Sequence, residues 1–183
     1  MTDENNEVAE NATQTRVSEL LSSLECTVTC AYDGMASVQC APELIHAICA
    51  KLKTEGGFEG NTLVTAIDHG AGLEQRFEMV YQFLSMEHTQ RVRVRAMTTG
   101  DDPEVDTITD LWPGTAFSER ECFDLLGVRF AGHENLRRIL MPEGFEHHPL
   151  RKDFPHIGIE PDKLYQKWDE ERRSAFAEKE AGK

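Results

Sequence analysis

Five cysteines, seven histidines and a run of paired charges beyond residue 118 are the parts of this 183-residue chain whose types could carry chemistry. Thiolates and imidazoles hold zinc or iron–sulfur clusters when their spacing brings several ligands to one point. Cys26, Cys30, Cys40, Cys49 and Cys122 contain no C-x-x-C pair. In the alternating run Cys26-Thr27-Val28-Thr29-Cys30 both cysteines face one side of a strand, roughly 13 Å apart and too far to share one metal. Cys49 falls in the apolar stripe of a helix, so the expectation is reduced, mostly buried thiols and no iron–sulfur cluster. Glu146-His147-His148 suggests a metal site or an acid–base pair by composition, but neighbours on an extended chain point to opposite sides. Gly70-Ala71-Gly72 precedes a strand-like run, not a helix whose N-terminus could hold phosphate, and reads as a turn. No Ser, Cys or Asp stands in a recognisable nucleophile motif. The sequence therefore assigns no catalytic, cofactor-binding or metal-binding residue.

The charged run is different in kind. From Glu119 to Pro155 it holds six Lys or Arg and seven Asp or Glu, nearly balanced in a chain whose formal net charge is −14. Balance inside an acidic chain points to pairing, within the fold or across an interface. Ser118 and Glu121 are spaced as a capping box, with Phe117 and Cys122 where a hydrophobic staple sits, and Gly127 suits a left-handed helix end. That spacing predicts about two turns of helix over Glu119 to Leu126, followed by a strand edge at Val128-Arg129-Phe130. Leu136, Ile139 and Leu140 share one face of a turn that Pro142 limits, as helix or as strand. From His147 onward Pro149 and Pro155 force an extended chain, and an extended, charged arm without hydrophobic period is built to lie on something else.

The same residues carry a resemblance. An E-R-E opening, an aspartate three residues on and a later H-x-x-x-R-x-hydrophobic-hydrophobic run stand here as Glu119, Arg120, Glu121, Asp124, His133, Arg137, Ile139 and Leu140. With Pro149-Leu150-Arg151-Lys152-Asp153-Phe154-Pro155 they resemble the signature of the NuoC-type family, the C-type subunit of proton-pumping NADH:quinone oxidoreductase, respiratory complex I. Phe145 and His147 stand where that family usually has tryptophan and glycine, and Glu134 where it has proline. The resemblance implies a structural subunit in the hydrophilic arm of the complex that holds no cofactor itself, FMN and iron–sulfur clusters belonging to partner subunits. It implies partners of three kinds: the quinone-site subunit of D type, the iron–sulfur subunit of B type and the ferredoxin-like subunit of I type. Glu119, Arg120, Glu121, Asp124, His133, Arg137, Arg138, Arg151, Lys152 and Asp153 are then expected at subunit interfaces. The complex passes electrons from NADH to quinone and couples this to proton translocation. Relatives of the domain in membrane-bound hydrogenase and formate hydrogenlyase complexes give the alternative electron donors.

Upstream elements must position that segment. Val17, Leu20, Leu21 and Leu24 recur at helical spacing, and Asp33-Gly34 turns a hairpin between Cys26 to Tyr32 and Met35 to Cys40. Pro42 opens a helix with the stripe Leu44, Ile45, Ile48, Cys49 and Leu52, which Gly56-Gly57 stops. Thr62 to Asp68, Arg76 to Met86 and Gln90 to Met97 read as strands. On the last of these Arg91, Arg93 and Arg95 share a face, either as a ladder for an acidic partner or as a solvated face paired with acids such as Glu78. The loop Gly100 to Asp106 is expected to be exposed. The fold class is α+β: an N-terminal helix and a mostly antiparallel sheet with a packed helix, then a short capped helix and an extended charged C-terminal arm. The expected division is a disordered acidic tail over 1–15, an α+β domain over 16–145, and the arm with a helical tail over 146–183.

A hydrophobic share of 39% without a long apolar run provides no membrane-spanning helix, which needs about 20 apolar residues in succession. The acidic start lacks the features of a signal or transit peptide and favours the cytoplasm of a prokaryote. Together with the resemblance this implies a peripheral protein on the cytoplasmic face of the membrane, attached only through its complex. The acidic balance argues against a nucleic-acid partner, since phosphate contacts need clustered Lys and Arg. A free-standing acidic binding protein and, more remotely, a soluble enzyme using His147 or His148 are the readings from other classes. The spacing arguments predict that anaerobically purified chain is colourless; stoichiometric iron or zinc by elemental analysis would overturn this.

Overall fold

In the computed structural model, which describes residues 12–142, 144–156, 158 and 169–172, five runs of alternating residues pair into one sheet. They are β1 (Cys26–Cys30), β2 (Ala36–Cys40), β3 (Gly60–Asp68), β4 (Gln75–Ser85) and β5 (Gln90–Thr99). Their order is β1-β2-β5-β4-β3, antiparallel throughout except for β2 against β5. Three helices accompany it: α1 over residues 12–20, α2 (Ile45–Thr54) behind a 3-10 turn at Pro42–Leu44, and α3 (Thr115–Leu126). Two short strands, β6 (Glu104–Asp106) and β7 (Arg129–Ala131), form a separate parallel pair beside α3. The expected α+β class with a mostly antiparallel sheet is the class observed.

All three helices lie on one face. Val38, Val92, Val94, Tyr81, Phe83 and Met79 turn inward from the strands and join Val17 and Leu21 of the N-terminal helix region, Ile45, Ile48 and Leu52 of α2, and Cys122 and Leu126 of α3 in one core. A large apolar side chain buried in this way contributes roughly 1.5–3 kcal/mol. The opposite face carries the arginine ladder, and two of its rungs are occupied from within the chain. Arg93 pairs with Asp33 at 2.5 Å, and Arg95 pairs with Glu78, whose other oxygen is 2.9 Å from His69.

Several expectations need correction. Residues 12–15, assigned to a disordered tail, are helical, while residues 1–11 lie outside the described residues. A helical stretch at 169–172 is all that is described of the tail beyond residue 158. The stretch from Gly100 to Asp106 is not wholly exposed loop, since Pro103 and Val105 are buried and Glu104–Asp106 forms β6. The thiols are not mostly buried: Cys49 and Cys122 are buried, Cys26 and Cys40 half-buried, and Cys30 exposed.

One departure from strand alternation organises the end of the sheet. The register of β4 on β5 slips between Gln75 and Phe77, so Arg76 is the extra residue of a β-bulge, and both Arg76 and Phe77 are buried. Arg76 grips both oxygens of Asp68 at 3.0 and 2.9 Å, Asp101 at 2.6 Å and Asp153 at 2.8 Å. Asp68 also accepts the N–H groups of Gly70 at 2.9 Å and Lys152 at 2.7 Å. A turn, a loop and the C-terminal arm thus converge on one guanidinium. Its hydrogen bonds are the largest influence holding both Asp68 and Asp153 below the usual carboxylate range, with burial opposing.

A carboxylate lowered in the fold supplies stability that is complete above its unfolded pKa of about 3.9 and is lost as pH falls toward the folded value. Arg76→Met should therefore cost about 3–5 kcal/mol at pH 7, where buried Asp68 loses its cation. The deficit should shrink below pH 4 as the abandoned carboxylates protonate. Urea unfolding of both chains at pH 7 and pH 3 reads this directly, and an equal deficit at both would refute it.

Candidate functional site

The charged segment folds back on itself around α3. Its helix starts at Thr115, four residues before the expected Glu119, with Gly114 at the cap position and the Thr115 hydroxyl bonded to the Trp112 carbonyl at 2.8 Å. Ser118 and Glu121 consequently sit inside the helix and form no capping box. Phe117 is exposed, so there is no staple either. Trp112 anchors the turn before the helix by donating to the Glu59 carbonyl at 2.9 Å and by packing on Phe83 with ring centroids 4.6 Å apart.

Two carboxylates of α3 are fully buried. Glu119 accepts the Ile108 N–H at 2.9 Å and the Thr107 hydroxyl at 2.5 Å, fastening the helix to the loop that follows β6. Burial raises its pKa, and these two bonds oppose the rise. Asp124 works harder. One of its oxygens accepts three consecutive backbone N–H groups, from Ile139 at 2.9 Å, Leu140 at 2.7 Å and Met141 at 2.8 Å. The other takes Arg138 at 2.7 Å. Burial is the largest single influence and works to raise its pKa, yet the three amides and Arg138 together hold it below the ordinary value.

The carbonyls that end α3 find their partners in the loop that follows and in the arm. Asp124 O faces Arg138 at 3.1 Å and His148 Nδ1 at 2.9 Å, Leu125 O accepts the Leu150 N–H at 3.0 Å, and Leu126 O accepts Arg151 Nε at 2.6 Å. A helix end leaves such carbonyls unpaired and favours cations, so Arg138 and Arg151 serve it twice. Burial keeps the His148 pKa down. Gly127 closes the helix at φ 77°, and a Cβ there would collide with Arg151 and approach His148 to 2.7 Å. Arg120 donates to the carbonyls of Arg137 at 3.1 Å and Arg138 at 3.0 Å, so the 134–141 stretch is an irregular loop held by side chains, neither helix nor strand. His133 accepts the Asn135 N–H on Nδ1 at 3.0 Å and lies 3.3 Å from the Ala116 carbonyl, an arrangement that fits a neutral ring with its proton on Nε2.

Residues 38–160 match the family described as the respiratory-chain NADH dehydrogenase 30 Kd subunit. The chain belongs to that family. Its relatives include the C-type subunit of the NADH-quinone oxidoreductase of Moorella thermoacetica, 43% identical over 67% of this chain and 80% of the relative. The corresponding protein of Azorhizobium caulinodans is 51% identical over 47% of this chain, a match covering 40% of that longer protein. Among solved structures, a trypsin-resistant fragment of Nqo5 aligns with TM-score 0.59 and 28% identity over 68% of this chain and 99% of the fragment. A chain of the membrane-bound sulfane sulfur reductase, an archaeal respiratory membrane complex, shares the fold with TM-score 0.69 and 22% identity over 80% of this chain and 87% of that one.

In this member of the 30 Kd subunit family the expected interface residues divide into two groups. Glu119 and Asp124 are fully buried and cannot touch another subunit; their work is internal. Arg120, His133, Arg138, Arg151 and Asp153 are likewise bonded within the chain. Glu121, Arg137 and Lys152 are exposed, as are the apolar side chains Phe117, Ile139, Leu140 and Leu150. The arm, expected to lie on something else, is stitched to its own domain from His148 to Asp153, so cutting the chain after Phe145 would remove helix caps along with any docking segment. Arg76, Asp68 and His148 were not foreseen as organising residues. The position of Asp68 opposite Phe77 in a β-hairpin, next to an arginine, was the available signal. Among the described residues no three His, Cys, Asp or Glu are grouped to hold a metal ion.

Asp124→Ala should destabilise the chain by about 3–5 kcal/mol, because it strands Arg138 and leaves three backbone N–H groups without their acceptor. Asp124→Asn, which keeps one acceptor oxygen, should cost less. Glu121→Ala should stay within about 0.5 kcal/mol of the parent. Chemical denaturation ranks the three, and a Glu121 effect as large as that of Asp124→Ala would reinstate the capping box.

Proposed function

We propose that this chain is a non-catalytic structural subunit of the hydrophilic arm of an NADH:quinone oxidoreductase, bracing the subunits that carry iron–sulfur clusters and the quinone site. The observation that carries the reading is the internal closure of the family segment. Glu119, Asp124, Arg120, Arg138, Arg151 and His148 are spent on holding the chain's own backbone and the end of α3. What faces outward is a rim of apolar and charged side chains, Phe117, Leu140, Leu150, Glu121, Arg137 and Lys152, suited to other subunits.

In this reading the electron carriers, FMN and iron–sulfur clusters, belong to neighbouring subunits, and the chain itself binds none. Its partners are the quinone-site, iron–sulfur and ferredoxin-like subunits of the arm, on the cytoplasmic side of the membrane. Proton translocation is a property of the whole complex. The names of the relatives at 43–51% identity favour NADH as donor over the hydrogenase and formate hydrogenlyase alternatives. Likeness to the sulfane sulfur reductase chain supports a shared fold alone.

Leu140→Glu combined with Arg137→Glu and Lys152→Glu tests the rim. All three side chains are exposed, so the variant chain should keep its thermal unfolding midpoint. Membranes carrying it should lose most NADH-to-quinone activity together with co-purifying subunits, because truncating or reversing docked charges commonly loses about 2–5 kcal/mol of association. A fully assembled complex with unchanged turnover would remove the rim from the interface.

A further inference from the structure

Cys26 and Cys40 stand directly opposite each other across the β1–β2 hairpin. The Ala31 N–H bonds to the Met35 carbonyl at 2.9 Å, and bonded and non-bonded pairs alternate along an antiparallel ladder. Cys30–Ala36, Val28–Val38 and Cys26–Cys40 are therefore the non-hydrogen-bonded pairs. There the side chains come closest and the Cα atoms lie about 4.5 Å apart, within the roughly 4.4–6.8 Å that a disulfide spans. Both thiols point to the helix-covered side, half-buried against the core, and both line the same surface cleft with Glu25, Pro42 and Glu43. Cys40 Sγ rests 3.7 Å from the Arg95 carbonyl.

From this register we infer that Cys26 and Cys40 form a redox-convertible dithiol, oxidised by a low-molecular-weight disulfide. The Cys26 thiolate attacks one sulfur of the reagent, forming a mixed disulfide and releasing one small thiol. Cys40, after losing its proton to water, displaces the second small thiol and closes the Cys26–Cys40 bond. Two protein thiols are oxidised and one disulfide is reduced to two thiols. Burial raises both thiols, and Cys26 is the point of attack because it is the less enclosed, Cys40 being held up at about 12. The other thiols are badly placed: Cys30 faces Ala36, and Cys49 and Cys122 are buried. Closure joins the two open ends of the hairpin, where the chain arrives from α1 and departs toward α2. Oxidation would thus clamp the sheet edge to both helices.

The test is incubation of the full chain with oxidised glutathione, followed by alkylation of remaining thiols under denaturing conditions and peptide mapping. The expected result is loss of two of the five alkylatable thiols, both in one Cys26–Cys40 peptide, with a raised melting temperature that a reductant reverses. Cys40→Ser should trap a glutathione adduct on Cys26, and Cys30→Ser should behave as the parent. The inference fails if the parent, with its native melt intact, keeps all five thiols free. It also fails if the parent accumulates the Cys26 adduct without closing it, or links Cys26 to Cys30.

Discussion

A carboxylate sealed from water, Asp124, fixes the geometry of everything around α3. Burying such a group is costly unless its lone pairs are filled. Here three successive amides and a guanidinium fill them, and the requirement runs in both directions. The loop through residues 139–141 has no ladder or helix of its own, so its backbone conformation is dictated by that carboxylate. Arg138, once placed, reaches the carbonyl of the same aspartate, and His148 occupies the neighbouring lone pair. Gly127 then lets the arm pass within contact of the helix end, which any side chain would prevent.

Arg76 is the counterpart at the sheet. It fastens the far end of the same arm through Asp153, while the Lys152 amide bonds to Asp68. Between the two clamps Phe77 supports the guanidinium groups of both Arg76 and Arg151 at 4.9 and 5.2 Å from its ring centre. Two positive groups against one ring are tolerable because Asp68, Asp101 and Asp153 surround Arg76. The acidic excess of the chain is thus partly structural: Asp68 and Asp124 are buried against arginines, and Asp101 and Asp153 reach buried Arg76 from the surface.

Period-two alternation made the five main strands legible, and the Asp33-Gly34 turn made the first hairpin legible, because both follow from local backbone preference. The start of α3 was not, since a Thr115 hydroxyl and a Trp112 ring on distant Phe83 outcompete the Ser118–Glu121 pattern. Arg76 escaped notice because a bulge reverses which residue faces inward, and alternation counts cannot reveal one. The charged segment was recognisable as a unit, but its residues were assigned outward. Charge in a sequence ordinarily signals surface, and only the three-dimensional approach of residues 107–108 to Glu119 and of residues 138–141 to Asp124 reverses that inference.

The one parallel junction within the five-stranded sheet has a temporal meaning. β2 cannot find its neighbour β5 until α2, β3 and β4 have been made, whereas β3, β4 and β5 zip together by hairpins between consecutive segments. Pairing over that separation requires closure of a long loop and comes late in folding. During synthesis the first hairpin must therefore wait, with one edge unsatisfied, for a strand that leaves the ribosome about fifty residues later. An edge left open for that interval is where a nascent chain of this fold is exposed to mispairing, and where a chaperone would have the most to protect.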